Sequence, residues 1–215
     1  MDYIYDLLTQ NMLFRLGSGL IPLFPMMVIF HTILLILNRR PGIKTPVPHI
    51  AGVYVFCFTL VFILVSTSVP GLFHNSFEPI INLIPFADIS FNGLHYLVNM
   101  LLFIPMGFLL PALWLKFEKK RLTFPYGLFF SLSIELIQLF NNRISDIDDL
   151  IMNTAGIVLG YYLFILIKRL LPKISALTID KTNHWKWEPY FCFLSVWLSM
   201  LFFRHYATYW LFSLN

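Results

Sequence analysis

The sequence predicts an all-α fold, a polytopic transmembrane helix bundle of about six spans with both termini extracytoplasmic. Three observations predict it. The chain is 58% hydrophobic and only 12% charged, against roughly 25% charged residues in soluble domains. Apolar runs of the length needed to cross a bilayer, about 20 residues each, recur along its 215 residues. The basic residues gather in alternate loops between those runs.

Taken in order, residues 1–16 read as a short amphipathic segment on the outer surface, and 17–215 as the transmembrane domain. The spans fall at about 17–37, 50–69, 92–115, 124–140, 149–171 and 189–210. The fourth is the shortest and has room to begin earlier, near Leu122. Pro22, Pro25, Pro105 and Pro111 lie inside spans, where neighbouring helices can re-satisfy the freed carbonyls. Pro172 ends the fifth span, because proline cannot continue the backbone ladder. Between the second and third spans, residues 78–91 are apolar but interrupted by Pro79 and Pro85. That segment is too short to cross and fits a re-entrant or surface-lying piece. As a lid it would bring Asn82 and Asp88 to the other polar groups; a plain interfacial loop is the simpler reading.

Loop charge sets the orientation. Arg39, Arg40 and Lys44, then Lys116, Lys119, Lys120 and Arg121, then Lys168, Arg169, Lys173, Lys181 and Lys186 share one side. These are 12 of the 15 basic residues. Only Arg15, Arg143 and Arg204 fall opposite, so the first side is expected to be cytoplasmic. The net charge of +4 is therefore topological, and nucleic acid is not an expected partner. The lipid bilayer is. Cys57 and Cys192 sit in apolar runs and read as buried free thiols. No cleavable signal peptide is expected, since Asp2 and Asp6 replace a basic leader and the first run is too long.

The polar residues concentrate between Ser131 and Asn153, where charged groups and amides interrupt a strongly apolar chain. Intramembrane ionisable residues are costly and mark a functional site by default. Asn92, His95 and Asn99 are spaced i, i+3, i+7 on one face of the third span. Ser131, Glu135, Gln138 and Asn142 form a stripe on the fourth. Asp146, Asp149, Asn153, Gly156 and Gly160 form one on the fifth, with the two glycines spaced for close helix approach. Three stripes at one end suggest a single cup open to the outside. Glu135 lies roughly 8–10 Å below a helix end near Asn141, so its carboxylate needs a cation, water or several donors. Arg143 is the nearby permanent cation, expected to fold over the cup and pair with Glu135, Asp146 or Asp149.

Each residue also has a plainer role. Glu135 with Arg143 would make a structural ion pair, and Gln138, Asn99 and Asn153 would make interhelical hydrogen bonds. Asp146 suits the N-cap of the fifth helix, with Asp148 and Asp149 in its first turn. For Asp148, which points off the stripe, the structural reading is preferred. No metal or other cofactor is expected, because His95, Glu135, Asp146 and Asp149 match no recognised ligand spacing. Ser131, His95 and Asp149 lack a nucleophile-elbow signature.

The motifs Asn82-Leu-Ile-Pro85-Phe, Asn99 with Phe103-Ile-Pro105-Met-Gly107-Phe-Leu-Leu-Pro111, Ser133-Ile-Glu135-Leu-Ile-Gln138 and Arg143-Ile-Ser-Asp146-Ile-Asp148-Asp149 through Asn153 to Gly156 occur in this order. In that combination the chain resembles the VanZ-like family of bacterial membrane proteins, over about residues 50–170. The resemblance implies a polytopic protein of the cell envelope and the bacterial plasma membrane. The founding member is linked to low-level teicoplanin resistance. Asn82, Asn99, Glu135, Gln138, Arg143, Asp146, Asp149 and Asn153 carry over as the polar signature.

Three functions then compete. The first is a non-transporting protein whose cup binds an envelope amphiphile, either an acylated glycopeptide or a lipid-linked wall precursor. Asn82, His95, Asn99, Gln138, Asp146 and Asn153 would contact it. The second is an intramembrane acid–base enzyme, a hydrolase or transferase, using Glu135, Asp149 and Arg143 on a lipid-linked substrate. The third, a transporter, ranks last, because neither midplane polar sites nor internal repeats are visible.

Overall fold

The computed structural model describes residues 16–29, 32, 47–67, 80–86, 89–140, 144–171, 187–204 and 206–207. Helices α1 (Leu16–Ile29), α2 (Val47–Ser66), α3 (Ile89–Leu113), α4 (Lys120–Leu139), α5 (Ile147–Leu170) and α6 (Glu188–Leu198) make up nearly all of it. A 3-10 turn, Leu115–Glu118, joins α3 to α4, and a π-helical turn, Ser199–Phe203, extends α6. Four helices, α2 to α5, are long and apolar enough to cross a membrane. The first and sixth expected spans correspond to α1 and α6, which are shorter within the described residues. Both chain termini, and the expected amphipathic segment 1–16 apart from Leu16, which opens α1, lie outside the described residues.

The bundle is all-α in class, with one addition the sequence did not predict. Ile80–Asn82 (β1) pairs in parallel with Ile144–Asp146 (β2), in register Ile80↔Ile144, Ile81↔Ser145 and Asn82↔Asp146. Expected as an interfacial loop, this part of 78–91 is instead tied by its backbone to the approach to α5. The physical reason is backbone satisfaction: amide groups near hydrocarbon must find partners.

The helix pair α3–α5 is the tightest junction. A Cβ added at Gly156 would run into the Met100 carbonyl, one at Gly160 into the Ile104 carbonyl, and one at Gly107 into the Ile157 carbonyl. The small-residue spacing on α5 therefore does what its pattern suggested, and Gly107 supplies the facing gap on α3. Around this pair, Phe56, Leu60 and Leu64 of α2, Phe103, Met106 and Leu110 of α3, Phe130 of α4 and Val196 of α6 form the apolar core. Cys57 and Cys192 are buried and free, with the Cys57 thiol 3.5 Å from the Met27 sulfur.

Substituting Gly160 by alanine should destabilise the bundle by about 1–3 kcal/mol through overpacking. The equivalent change at Gly93, where an added Cβ meets nothing within 4 Å, should be neutral. Thermal unfolding of the two purified variants in detergent, followed by fluorescence, checks the contrast.

Candidate functional site

The bundle has two chemically distinct ends. At one, α2 and α4 finish while α3 and α5 begin; this end carries the carboxylates and amides. At the other, α2, α4 and α6 begin and α3 finishes; it carries Lys116, Lys119, Lys120, Arg121, Lys168 and Arg169.

At the polar end, Glu135 sits on the last full turn of α4 and is only 5% exposed. Its Oε2 accepts from the Ser145 hydroxyl at 2.8 Å and from the Asp146 backbone N–H at 3.2 Å. Donors from β2 thus satisfy the carboxylate. Asp146 caps α5: its Oδ1 accepts from the Asp148 N–H at 3.0 Å and its Oδ2 from the Asn82 side-chain amide at 3.2 Å. Asn82 also turns its own chain, its Oδ1 accepting from the Ile84 N–H. One connected set therefore joins β1, β2, α4 and α5 through Asn82, Asp146, Ser145 and Glu135.

A second set lies alongside. The Asn99 amide donates to Asp149 Oδ1 at 2.6 Å and approaches His95 Nε2 at 3.2 Å. His95 Nε2 is 3.5 Å from the same carboxylate oxygen. The His95 side chain is 58% exposed and that of Asp149 18%, so this trio is the accessible part of the cluster. The i, i+4 spacing of His95 and Asn99 puts both over one patch of α3. Asp149 and Asp146 also lie within electrostatic reach of Glu135, which makes the two sets one acidic region. A turn further into the bundle, the Asn153 amide donates to the Ser131 hydroxyl at 2.9 Å. The Asn153 Oδ1 is buried with no hydrogen-bond donor among the described residues.

The expected cup is thus partly assembled and partly rearranged. Asn82, Glu135 and Asp146 come together, as do His95, Asn99 and Asp149, with Asn153 beneath. Gln138 does not join them; its amide donates to the Thr67 backbone carbonyl at 2.9 Å, which ties α4 to the end of α2. Arg143 and Asp88 lie outside the described residues. The donors the structure gives Glu135 are neutral, a hydroxyl and a backbone amide.

Sequence reasoning undervalued Asp148. It is 1% exposed and accepts from the Phe86 N–H through both oxygens, at 2.8 and 3.0 Å, and from the Tyr96 hydroxyl at 2.7 Å. Phe86 has φ 57°, a left-handed conformation that bulky residues rarely adopt. Asp148 therefore holds the β1 segment, and with it Asn82, against α3 and α5. Ser145 and Tyr96 were also missed, since neither residue type signals a site alone.

At the opposite end is a cluster that no spacing announced. His49 at the start of α2, Trp114 at the end of α3 and Glu188 at the start of α6 are all buried. Glu188 Oε2 lies 2.7 Å from His49 Nε2 and accepts from Trp114 Nε1 at 2.8 Å. Each residue alone reads as an interfacial side chain at a helix terminus; only their meeting is informative.

Chemically, the polar end offers carboxylate and amide oxygens and one accessible imidazole. That suits hydroxyl- or amine-rich head groups, and a histidine beside a carboxylate can also move a proton. Among the described residues no group of three His, Cys, Asp or Glu side chains is disposed to hold a metal ion. A family model described as VanZ/LLP1 matches residues 51–168, more than half of the chain. Comparison with curated proteins and with solved structures gave no match.

Proposed function

This chain belongs to the VanZ/LLP1 family and is a membrane protein, and on that premise we propose that it binds an envelope amphiphile at the outer leaflet of the bacterial plasma membrane. In this reading it is a multi-pass, non-transporting protein of about six spans. The carboxylate end faces the exterior and the basic end the cytoplasm, as the loop charges require. The ligand is an acylated glycopeptide such as teicoplanin, or a lipid-linked wall precursor. Low-level glycopeptide resistance is the expected phenotype.

One observation carries the reading: an accessible polar trio lies beside an apolar groove. Phe58, Thr59 and Phe62 of α2 and Val98, Leu101, Leu102 and Pro105 of α3 line a groove of about 440 Å³, within the roughly 300–1,000 Å³ of small-molecule clefts. His95 stands at i−3 from Val98 and i−7 from Leu102, on the same side of α3 and one turn nearer the polar end. The groove's hydroxyl, Thr59 Oγ1, is turned to the Val55 carbonyl, which leaves the walls apolar. A head group on His95, Asn99 and Asp149 would leave its acyl chain lying between α2 and α3.

The test is teicoplanin binding to the protein in nanodiscs, with the same glycopeptide lacking its acyl chain as comparison. Asp149→Asn and Leu101→Trp should each weaken binding about tenfold or more, since a hydrogen bond to a charged group is worth roughly 1.5–3 kcal/mol. Wild-type affinity in both variants rejects the site.

A second reading has its own observation, the exposed His95 ring beside Asp149. In an acid–base enzyme this pair would abstract a proton from a lipid-linked substrate, with the buried Glu135 as the second proton carrier. Glu135→Gln then separates the two. A binder keeps most of its affinity, whereas an acid–base enzyme with Glu135 as proton carrier loses turnover entirely.

A further inference from the structure

The basic end carries a second groove, unrelated to the carboxylate site. Leu122, Pro125, Tyr126 and Phe129 of α4 and Tyr190 and Phe193 of α6 line it, with Arg121 at its edge; its volume is about 320 Å³. The apolar positions on α4 recur at i, i+3, i+4 and i+7, one stripe of the helix. Ring contacts between Tyr126 and Tyr190 (5.8 Å) and between Phe129 and Phe193 (5.4 Å) set the two walls. The buried Tyr126 hydroxyl donates to the Pro189 carbonyl at 2.6 Å, so the groove floor is fixed to the start of α6.

Two cations stand near this groove, Arg121 at its edge and Lys116 against its wall residue Tyr190. On the α4 side Arg121 is exposed, and among the described residues no carboxylate pairs with it. The nearby Glu118 is engaged by Lys168 at 2.5 Å. On the α6 side the Lys116 ammonium lies over the Tyr190 ring, 4.5 Å from its centroid, which holds its charge above the groove wall. Lys119 and Lys120 add charge at the same level, and α4 begins there without a side-chain cap, so the positive end of its dipole faces the mouth. Scattered loop lysines would serve orientation alone. Here a guanidinium with no carboxylate partner among the described residues and a ring-held ammonium accompany an aromatic slot.

From this we propose that the α4–α6 groove binds an anionic phospholipid of the leaflet at the basic end. Its phosphate sits between Arg121 and Lys116, and one acyl chain lies along Leu122, Pro125, Phe129 and Phe193. Basic pockets between spans on the cytoplasmic side are suited to acidic lipid head groups, and a planar guanidinium engages phosphate through two parallel hydrogen bonds. The site holds α4 against α6 at the end where both begin.

The test uses the full chain, purified in detergent, and native mass spectrometry with three probes. These are a short-chain phosphatidylglycerol, the phosphatidylcholine with identical chains, and glycerol phosphate without chains. Wild type should retain the anionic lipid at least about tenfold better than the zwitterionic one. Arg121→Gln should reduce that preference to near unity while melting at the wild-type temperature without lipid. Leu122→Trp, which fills the groove, should lower retention of both lipids. Equal retention of the two lipids by wild type overturns the proposal, as does an unchanged preference in Arg121→Gln. Glycerol phosphate binding as tightly as the anionic lipid also overturns it, because the acyl groove would then contribute nothing. None of these readouts involves the carboxylate end, so failure here leaves the outer-leaflet reading standing.

Discussion

Glu188→Ala should lower the stability of the folded chain by about 2–6 kcal/mol, since it leaves two buried groups without their shared acceptor at roughly 1–3 kcal/mol each. Glu188 and His49 are each 1% exposed, 2.7 Å apart, and the Trp114 indole N–H shares the same carboxylate oxygen. Alanine strands both donors in the core, where unsatisfied groups bear their full desolvation cost. Three elements that begin or end at the basic end, α2, α3 and α6, lose their common tie. Glu188→Gln keeps an acceptor for Trp114 and should cost about 1–3 kcal/mol. Combining Glu188→Leu with His49→Phe removes the His49 donor together with the acceptor and leaves only the Trp114 N–H unpaired, so it should recover part of the loss. Unfolding by SDS titration measures all three. If Glu188→Ala melts like wild type, the cluster contributes no stability and the tie between α2 and α6 lies elsewhere.

The same cluster shows why the sequence predicts some helix limits and not others. The second span was expected from about residue 50; the helix begins at Val47, and its buried His49 finds an acceptor in Glu188. The fourth was expected from about 124 with room to begin near Leu122, since Lys120 and Arg121 read as loop; α4 begins at Lys120, its charges reaching outward from a first turn. Span existence was legible because apolar length is a local property. The Gly156 and Gly160 pattern was legible for the same reason, being a spacing within one helix. Asn82 with Asp146 and Asn99 with Asp149 were legible as candidates through composition alone, though their pairings join residues 64 and 50 positions apart.

What stayed hidden depends on partners from elsewhere in the chain. The β1–β2 ladder is three residues per strand, too short for any alternation to register. Gln138 fits the acidic stripe by spacing, yet the Thr67 carbonyl at the end of α2 draws its amide away. Arg143, expected to pair with Glu135, Asp146 or Asp149, lies outside the described residues. Among those described, the Ser145 hydroxyl and the Asp146 amide of β2 serve Glu135, and neither position signalled that role. In each case a backbone group of a non-helical segment decides the geometry, and such groups carry no sequence signature.

Asp148→Ala follows from that point and is the strongest test of how the polar end is built. The substitution removes acceptors from the Phe86 N–H and the Tyr96 hydroxyl. With hydrogen bonds to a charged group worth roughly 1.5–3 kcal/mol each, the expected cost is about 3–5 kcal/mol locally. It should not spread evenly. The middle of the α3–α5 junction is closed by glycines against backbone, and Asp148 joins the two helices only at their polar end through Tyr96, so the bundle should stay folded. Residues 80–86 should release, because Phe86 holds its left-handed backbone only while its N–H is bound. Hydrogen–deuterium exchange should then rise steeply across 80–86 and remain at wild-type levels in the middle of α3 and α5. Asn82 would leave Asp146, and the donors that serve Glu135 would loosen with β2. Asp148→Asn, which keeps one acceptor oxygen, should fall between the two. Uniform exchange changes along α5, or none in 80–86, would show that Asp148 merely completes the first turn of its own helix. The carboxylate end would then be assembled by the helices alone, without the strand pair.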